Sequence, residues 1–356
     1  MRAVVWLCLG FASVRHMPAQ QDSPSYVMFQ APGDVCCTRP QSINNAETIA
    51  GYVIGANNVD QGFVRLGDGT SHSSTLRGAG TGEYQGTIAM GINMAGTTAG
   101  FYSNPDSSAF AFLLTSGGVF TEFSAPGAGS GVDQGTSAES INDGGDTAGF
   151  YTDPDGWNHG FVRASDGTIT SFNAGDATRG GGTIAVSIND SGAITGYYMD
   201  DAGVWHGFVR GIAGTITTFE APGAGTSSHL GALAVSINGS GTVTGYYLDA
   251  NNFAHGFVRA ADGTIMTFDA PGATPGTVGG GNLSRRDQLG GHNYGMLRQQ
   301  RFHSSWICAY QQRRVLDFDN AGAHDQSTYG FAINDFGYIA GELNGYPAAS
   351  GDNMGC

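Results

Sequence analysis

Three histidines stand at equivalent places in this chain. His159, His206 and His255 each open the same pentapeptide, H-G-F-V-R, ending at Arg163, Arg210 and Arg259. Imidazoles repeated in register could supply a ring of metal ligands or of ligand-binding groups. Gln61 holds the same place in an earlier copy, which fits hydrogen bonding to an Asp or a turn carbonyl better than metal ligation. Alternation on an extended strand puts His159, Phe161 and Arg163 on one face and Gly160 and Val162 on the other. Acidic turns come just upstream. Asp153-Pro154-Asp155-Gly156 has the short-spaced oxygens that Ca²⁺ prefers, and related turns hold Asp200-Asp201, Asp249 and Asn104-Pro105-Asp106. None has the downstream Glu of an EF-hand, so an Asx turn is the simpler reading. Calcium at Asp153, Asp155, Asp200 and Asp249 would stiffen loops rather than perform chemistry. Trp157 and Trp205, just before two of the histidines, could stack on sugar rings or pack between repeats. Trp157, His159, Trp205, His206 and His255 are therefore the candidate ligand-binding set.

Composition removes several alternatives. All 15 basic residues are Arg, so a P-loop lysine, a Schiff-base lysine and a Ser–Lys dyad are excluded. Thirty acidic residues leave a net charge of −15, which argues against a nucleic-acid partner. There is no G-x-S-x-G elbow and no H-E-x-x-H. Glu83, Glu139 and Glu220 are acids that depart from the repeating background, but no spacing unites them. The five cysteines (Cys8, Cys36, Cys37, Cys308 and Cys356) form neither a C-x-x-C nor a zinc spacing. Gly (59) and Pro (11) are abundant, yet 40% hydrophobic residues suffice for a core.

The elements that would position these groups repeat. The pattern I-N-x-x-G-x-x-x-G ends at Gly51, Gly100, Gly149, Gly196, Gly245, Gly295 and Gly341, in steps of 49, 49, 47, 49, 50 and 46 residues. H-G-F-V-R follows it, then a D-G-T-I hairpin signal at 166–169 and 262–265, then F-x-A-P-G-A at 123–128, 219–224 and 268–273. In one unit, residues 185–189, 193–198, 206–210 and 215–219 read as four short strands separated by turn residues, with no helical period. The chain opens with a fourth strand at 26–30 and closes with first and second strands at 331–334 and 338–342. This predicts an all-β fold: a β-propeller of about seven four-stranded blades of ~49 residues, the last shared between the termini. An open solenoid or a β-sandwich array is the alternative.

The apolar run at 3–11 has the size of a signal-peptide core and is too short to span a membrane. The chain is thus read as a signal peptide at 1–20, one repeat domain at 21–343 and an irregular tail at 344–356. It is expected to be secreted and monomeric. Residues 281–315 break the pattern while keeping its spacing, and they hold six of the 15 Arg. If His292-Asn293-Tyr294-Gly295 is encoded CAC AAT TAC GGG, a one-nucleotide shift gives Thr-Ile-Thr-Gly, matching Ile194-Thr195-Gly196. A pair of compensating frameshifts near Gly280 and Leu316 accounts for this, so residues between them carry no functional argument.

The I-N-x-x-G-x-x-x-G…H-G-F-V-R pattern resembles the HAF family of extracellular repeats, named for a His-Ala-Phe motif. Gly160, Gly207 and Gly256 stand here at the Ala position. The resemblance runs from Tyr26 to Gly341, apart from the aberrant unit. It implies a bacterial, secreted or surface-associated repeat protein and no catalytic residue. The resulting expectation is a non-enzymatic binding module for an extracellular polysaccharide or other surface polymer, with no cofactor beyond structural calcium. The variable stretches 129–137 and 225–233 are its ligand-contact candidates. The alternative is an extracellular polysaccharide hydrolase or lyase using inward-pointing, off-pattern acids.

Overall fold

The computed structural model describes residues 29–35, 37–175 and 182–268, and the backbone of 327–333 and 339–344. The chain divides into two compact units, Met1–Gln30 and Ala31–Cys356, and the repeats lie in the second. The signal-peptide segment, the out-of-frame segment and all but Asn344 of the tail lie outside the described residues.

Five complete repeats are present among the described residues. The first contains β1 (Cys37–Ile43), β2 (Ile49–Ile54), β3 (Asp60–Arg65) and β4 (Ser71–Ser74). The second contains β5 (Gly86–Ile92), β6 (Thr98–Ser103), β7 (Ala109–Leu114) and β8 (Phe120–Phe123). The third contains β9 (Gly135–Ile141), β10 (Thr147–Thr152), β11 (Asn158–Arg163) and β12 (Ile169–Phe172). The fourth contains β13 (Thr183–Ile188), β14 (Ile194–Met199), β15 (Trp205–Arg210) and β16 (Ile216–Phe219). The fifth contains β17 (Gly231–Ile237), β18 (Val243–Leu248), β19 (Ala254–Arg259) and β20 (Ile265–Phe268). A last hairpin joins β21 (Ser327–Ile333) to β22 (Ile339–Asn344).

Every repeat is an antiparallel meander in chain order. Single parallel pairings, Asp60 with Gly86, Ala109 with Gly135 and Trp205 with Gly231, stitch the meanders into sheets of 12 and 8 strands. The expected strands match β13 to β16 to within two residues at each end. The fourth strand expected at 26–30 does not form at Phe29 or Gln30, which lie outside any strand; residues 26–28 are outside the described set.

Each first strand carries a bulge at one fixed place, skipping Gln41, Met90, Glu139, Val186, Val235 and Phe331 in turn. Opposite each bulge sits the last glycine of the repeat motif. A Cβ on Gly149 would lie 2.1 Å from the Ser137 carbonyl oxygen and 2.9 Å from the Phe161 ring. Gly51, Gly100, Gly196 and Gly245 are blocked in the same way, at 2.0–2.2 Å from a carbonyl oxygen. Backbone cannot yield by that much, so the motif needs glycine there.

The Asn of the motif joins one repeat to the next. Asn142 Oδ1 accepts from the Asp146 amide at 2.8 Å within its own turn, while its Nδ2 donates to the Asn189 carbonyl at 3.1 Å in the next repeat. Asn44 reaches Asn93, Asn93 reaches Asn142, and Asn189 reaches Asn238 through the same bond. Phenylalanine makes the apolar half of the seam. Phe161, Phe208 and Phe257 of the third strands are fully buried, each contributing roughly 2–3 kcal/mol. Each meets, nearly edge-on, a Phe from the preceding repeat's fourth strand: Phe123, Phe172 and Phe219. The guanidinium that ends H-G-F-V-R lies over that same ring, with Arg163 4.9 Å from Phe123, and Arg210 and Arg259 5.0 Å from Phe172 and Phe219. Gly160 leaves room for its own repeat's Phe172, whose ring a Cβ would meet at 2.7 Å.

First strands of successive repeats pack on one another, and each second strand packs on the first strand of the next repeat. β22 and β21 pack on β1 in the same relation. The fourth strands form the outer, more exposed side.

Candidate functional site

The three histidines open or nearly open a third strand, each directly across from a tyrosine of the second strand. Pairing therefore stacks the rings: Tyr151 on His159 at 5.0 Å, Tyr198 on His206 at 4.9 Å and Tyr247 on His255 at 4.9 Å. The turn between the two strands brings back an aspartate. His159 Nε2 faces Asp153 Oδ2 at 3.1 Å, His206 faces Asp200 at 3.0 Å, and His255 faces Asp249 at 3.6 Å. The other carboxylate oxygen caps the turn. Asp153 Oδ1 accepts from the amides of Asp155 and Trp157, both at 2.9 Å. Asp200 Oδ1 accepts from Val204, and Asp249 Oδ1 from Asn251 and Phe253.

The second imidazole nitrogen is also engaged. His159 Nδ1 meets Asn173 Oδ1 at 2.9 Å, and His206 Nδ1 pairs with Glu220. His159 and His206 thus have both ring nitrogens committed, leaving neither as a free metal ligand or base. Burial raises the Asp153 carboxyl, but the Trp157 amide, then His159 and the Asp155 amide, hold it below the ordinary value. Asp200 and Asp249 are held low in the same way, against burial, chiefly by the Val204 and Phe253 amides. Burial pulls His206 down, but Glu220 and then Asp200 raise it above the ordinary imidazole value. Glu220 is pushed up by burial, with His206 pulling it back.

This geometry assigns the predicted residues. His159, His206 and His255 lock the turn between second and third strands. Asp153, Asp200 and Asp249 are the caps of those turns, and Asp155 sits exposed at a turn tip. Among the described residues, no group of three or more His, Cys, Asp or Glu is arranged to hold a metal ion. The two tryptophans are not equivalent. Trp205 lies within β15, edge-on to Tyr197 at 5.3 Å, and packs with Phe150, Ile184 and Leu233, so its role is packing between repeats. Trp157 ends the acidic turn, half-buried, where the next repeat has Val204.

The variable stretches prove shorter than expected, because Gly135 and Gly231 already begin first strands, in which Ser137 and Leu233 are buried. What remains is a loop straddling two neighbouring turns. In the third repeat the Asp133 amide donates to the Ser107 carbonyl at 3.0 Å, the Gly129 amide to Thr152 at 2.8 Å, and Gln134 Nε2 to Pro154 at 3.0 Å. The second repeat uses the Tyr84 and Gly80 amides and Gln85 Nε2 in the same way, and the fifth uses the His229 and Gly225 amides. Sequence reasoning missed Gln85 and Gln134. Their signal was the recurring Q-G-T just before β5 and β9. Tyr84, Asp133 and His229 occupy one loop position, all left-handed at φ 61°, 61° and 65°. The off-pattern acids fall in different places. Glu83 accepts from Asn58 on an exposed loop, Glu139 lies in the bulge of β9, and Glu220 follows β16.

Fold and loop face together define an all-β protein of tandem four-stranded repeats with pinned connecting loops gathered beside the acidic turns. No protein-family model matches the chain, and no curated protein matches it. Among solved structures it is similar to the BP39L lectin from Burkholderia pseudomallei, with 8% identity and a TM-score of 0.39, over 67% of this chain and 74% of the lectin. It is also similar to a variant of Aleuria aurantia lectin in complex with α-methyl-L-fucoside, with 12% identity and a TM-score of 0.39, over 65% of this chain and 75% of that one. A variant of AofleA from Arthrobotrys oligospora matches at 12% identity and a TM-score of 0.32, over 66% and 84% of the two chains.

Proposed function

We propose that this chain is a secreted, non-enzymatic binding module, built as a closed seven-bladed β-propeller, that holds an extracellular carbohydrate polymer on its loop face. One observation carries the reading: the framework is held constant from repeat to repeat while the residues at the loop tips change. The Gly, Asn, Phe and Arg contacts recur with the same geometry. Glu83-Tyr84, Val132-Asp133 and Ser228-His229 occupy equivalent loop tips with different chemistry. Rigid scaffold with variable tips is the layout of a recognition surface, and several tips on one body engaging the same polymer together add avidity. Packing of β21 and β22 on β1 supports closure, because it repeats the relation between every other pair of neighbours.

The test is depletion of the protein from solution by insoluble polysaccharides, with released sugar ends measured in the same tubes. Depletion without release is expected, and it should weaken when Tyr84 is replaced by Ala. Release of sugar ends would replace this reading with a hydrolase or lyase. No depletion by any polymer would refute carbohydrate binding.

A further inference from the structure

The turn between second and third strands follows one rule in the second to fifth repeats and another in the first. In the former an Asn or Asp opens the turn, and its Oδ1 accepts from amides inside it. Asn104 accepts from Asp106 and Ser108, both at 3.0 Å, and Asp153, Asp200 and Asp249 do likewise. Gly55 holds that place in the first repeat. Its missing side chain leaves room for Gln61, whose Nε2 a Cβ would meet at 2.8 Å. Without the cap, the turn closes through a longer bond, from the Val59 amide to the Ala56 carbonyl at 3.4 Å. Two consecutive residues, Asn57 and Asn58, are then left-handed, at φ 59° and 57°. The other four turns place a single residue there: Ser107, Gly156, Gly203 and Asn252.

The loop tip leading into the second repeat is tied to this turn twice. The Tyr84 amide donates to the Asn58 carbonyl at 2.8 Å, and Asn58 Nδ2 donates to Glu83 Oε1 at 3.0 Å. Tyr84 is itself left-handed, at φ 61°, and 38% exposed. Three non-glycine residues in a conformation that glycine takes freely thus meet at one junction. Such strain collects at positions that hold a ligand. The side chains presented there are polar and unspent. Among the described residues, Glu83 Oε2, Asn58 Oδ1 and the Asn57 side-chain amide have no hydrogen-bond partner, and Asn57, Asn58, Glu83 and Tyr84 are all exposed. The equivalent junctions lack this set: Val132 and Ser228 stand in the place of Glu83, and Ser107 and Gly203 in the place of Asn58.

We propose that the junction of the first and second repeats is a subsite for one neutral sugar residue of the polymer, with Asn57, Asn58 and Glu83 bonding its hydroxyls and Tyr84 covering an apolar face of its ring. This rests on the carbohydrate reading of the loop face and deepens it. Neighbouring sugar hydroxyls ask for a donor and an acceptor side by side. Each Asn supplies both, and a carboxylate oxygen accepts from a hydroxyl more strongly than a neutral group does. A tyrosine ring offers an apolar face and a polar edge in one exposed side chain. Glu83, on a chain of net charge −15, repels the carboxylates of an acidic polysaccharide, which sets the class to neutral sugars.

The experiment is depletion of the whole chain by cellulose, mannan, curdlan and chitin, and by chemically cross-linked polygalacturonate, at neutral pH and physiological ionic strength. Depletion by at least one neutral polymer is expected, with polygalacturonate about tenfold weaker or more. The double variant Asn57→Gly, Asn58→Gly keeps the left-handed backbone, which glycine adopts without strain, and strips both amide groups. It should melt no lower than wild type and lose about fivefold or more in affinity for the same polymer, as should Glu83→Ala. Depletion of wild type that stays within about twofold in the double variant or in Glu83→Ala would overturn the subsite and leave the carbohydrate reading standing. Polygalacturonate binding as tight as the best neutral polymer would overturn the neutral class. No depletion by any of these polymers would refute the subsite together with the reading beneath it.

Discussion

Replacing Asn142 by Ala tests whether the motif asparagine is what joins repeats. Its side chain makes two bonds that serve different purposes: Oδ1 caps the Asp146 amide at 2.8 Å, and Nδ2 crosses to the Asn189 carbonyl at 3.1 Å. Asn142 is 4% exposed, so the groups left behind gain little water. Each orphaned group costs about 1–3 kcal/mol, which puts the variant roughly 2–5 kcal/mol below wild type. For a chain of this size that is a fall in Tm of about 3–7 °C. Asn142→Asp separates the two bonds. It keeps an acceptor for Asp146 but turns the donor into a carboxylate oxygen facing the Asn189 carbonyl. Its loss should come from the seam alone, about 2 kcal/mol or somewhat more because of the repulsion. Thermal melting at pH 7, followed by circular dichroism, reads both. If both variants melt within about 2 °C of wild type, the bond between repeats carries no weight and the account of the seam is wrong.

Other outcomes follow from the same geometry. Gly149→Ala should cost at least about 3 kcal/mol, because its Cβ would lie 2.1 Å from the Ser137 carbonyl oxygen. Gly156→Ala, with open space around it but φ +84°, should cost only about 1 kcal/mol; denaturant midpoints compare the two. The raised pKa of His206 means its contribution is fully present below its ordinary value of 6.5 and is lost as pH rises through the higher folded value. His206→Gln should therefore melt below wild type at pH 6, by about 1 kcal/mol, with the gap closing by pH 9. The lowered Asp200 works in the opposite sense, its share being lost only in acid as pH falls below 3.8. Millimolar calcium should leave Tm unchanged within about 1 °C, because the turn carboxylates are already committed to amides and imidazoles. A larger rise would restore calcium as their ligand.

Much of this molecule could be read from its periodicity. A step near 49 residues, short β-branched runs and turn residues at fixed offsets determine four antiparallel strands per repeat, because each is a local property of the backbone. The hydrogen-bonding reading of His159, His206 and His255 was also legible, since Gln61 can replace an imidazole as a hydrogen-bonding group. What a repeat does to its neighbour was not legible. The partner of Asn142 is 47 residues away, and Arg163 meets a ring from the preceding repeat; neither pairing leaves a local pattern. The two tryptophans differ in sequence by one place, Trp157 standing two residues before His159 and Trp205 one before His206. Strand pairing gives that shift its meaning, sending Trp205 into the seam and leaving Trp157 on a turn. Glu139 shows the same division. Sequence alone marks it as an acid out of pattern, but its place in the bulge of β9, where it accepts from Ser137, is decided by how β9 pairs with β10.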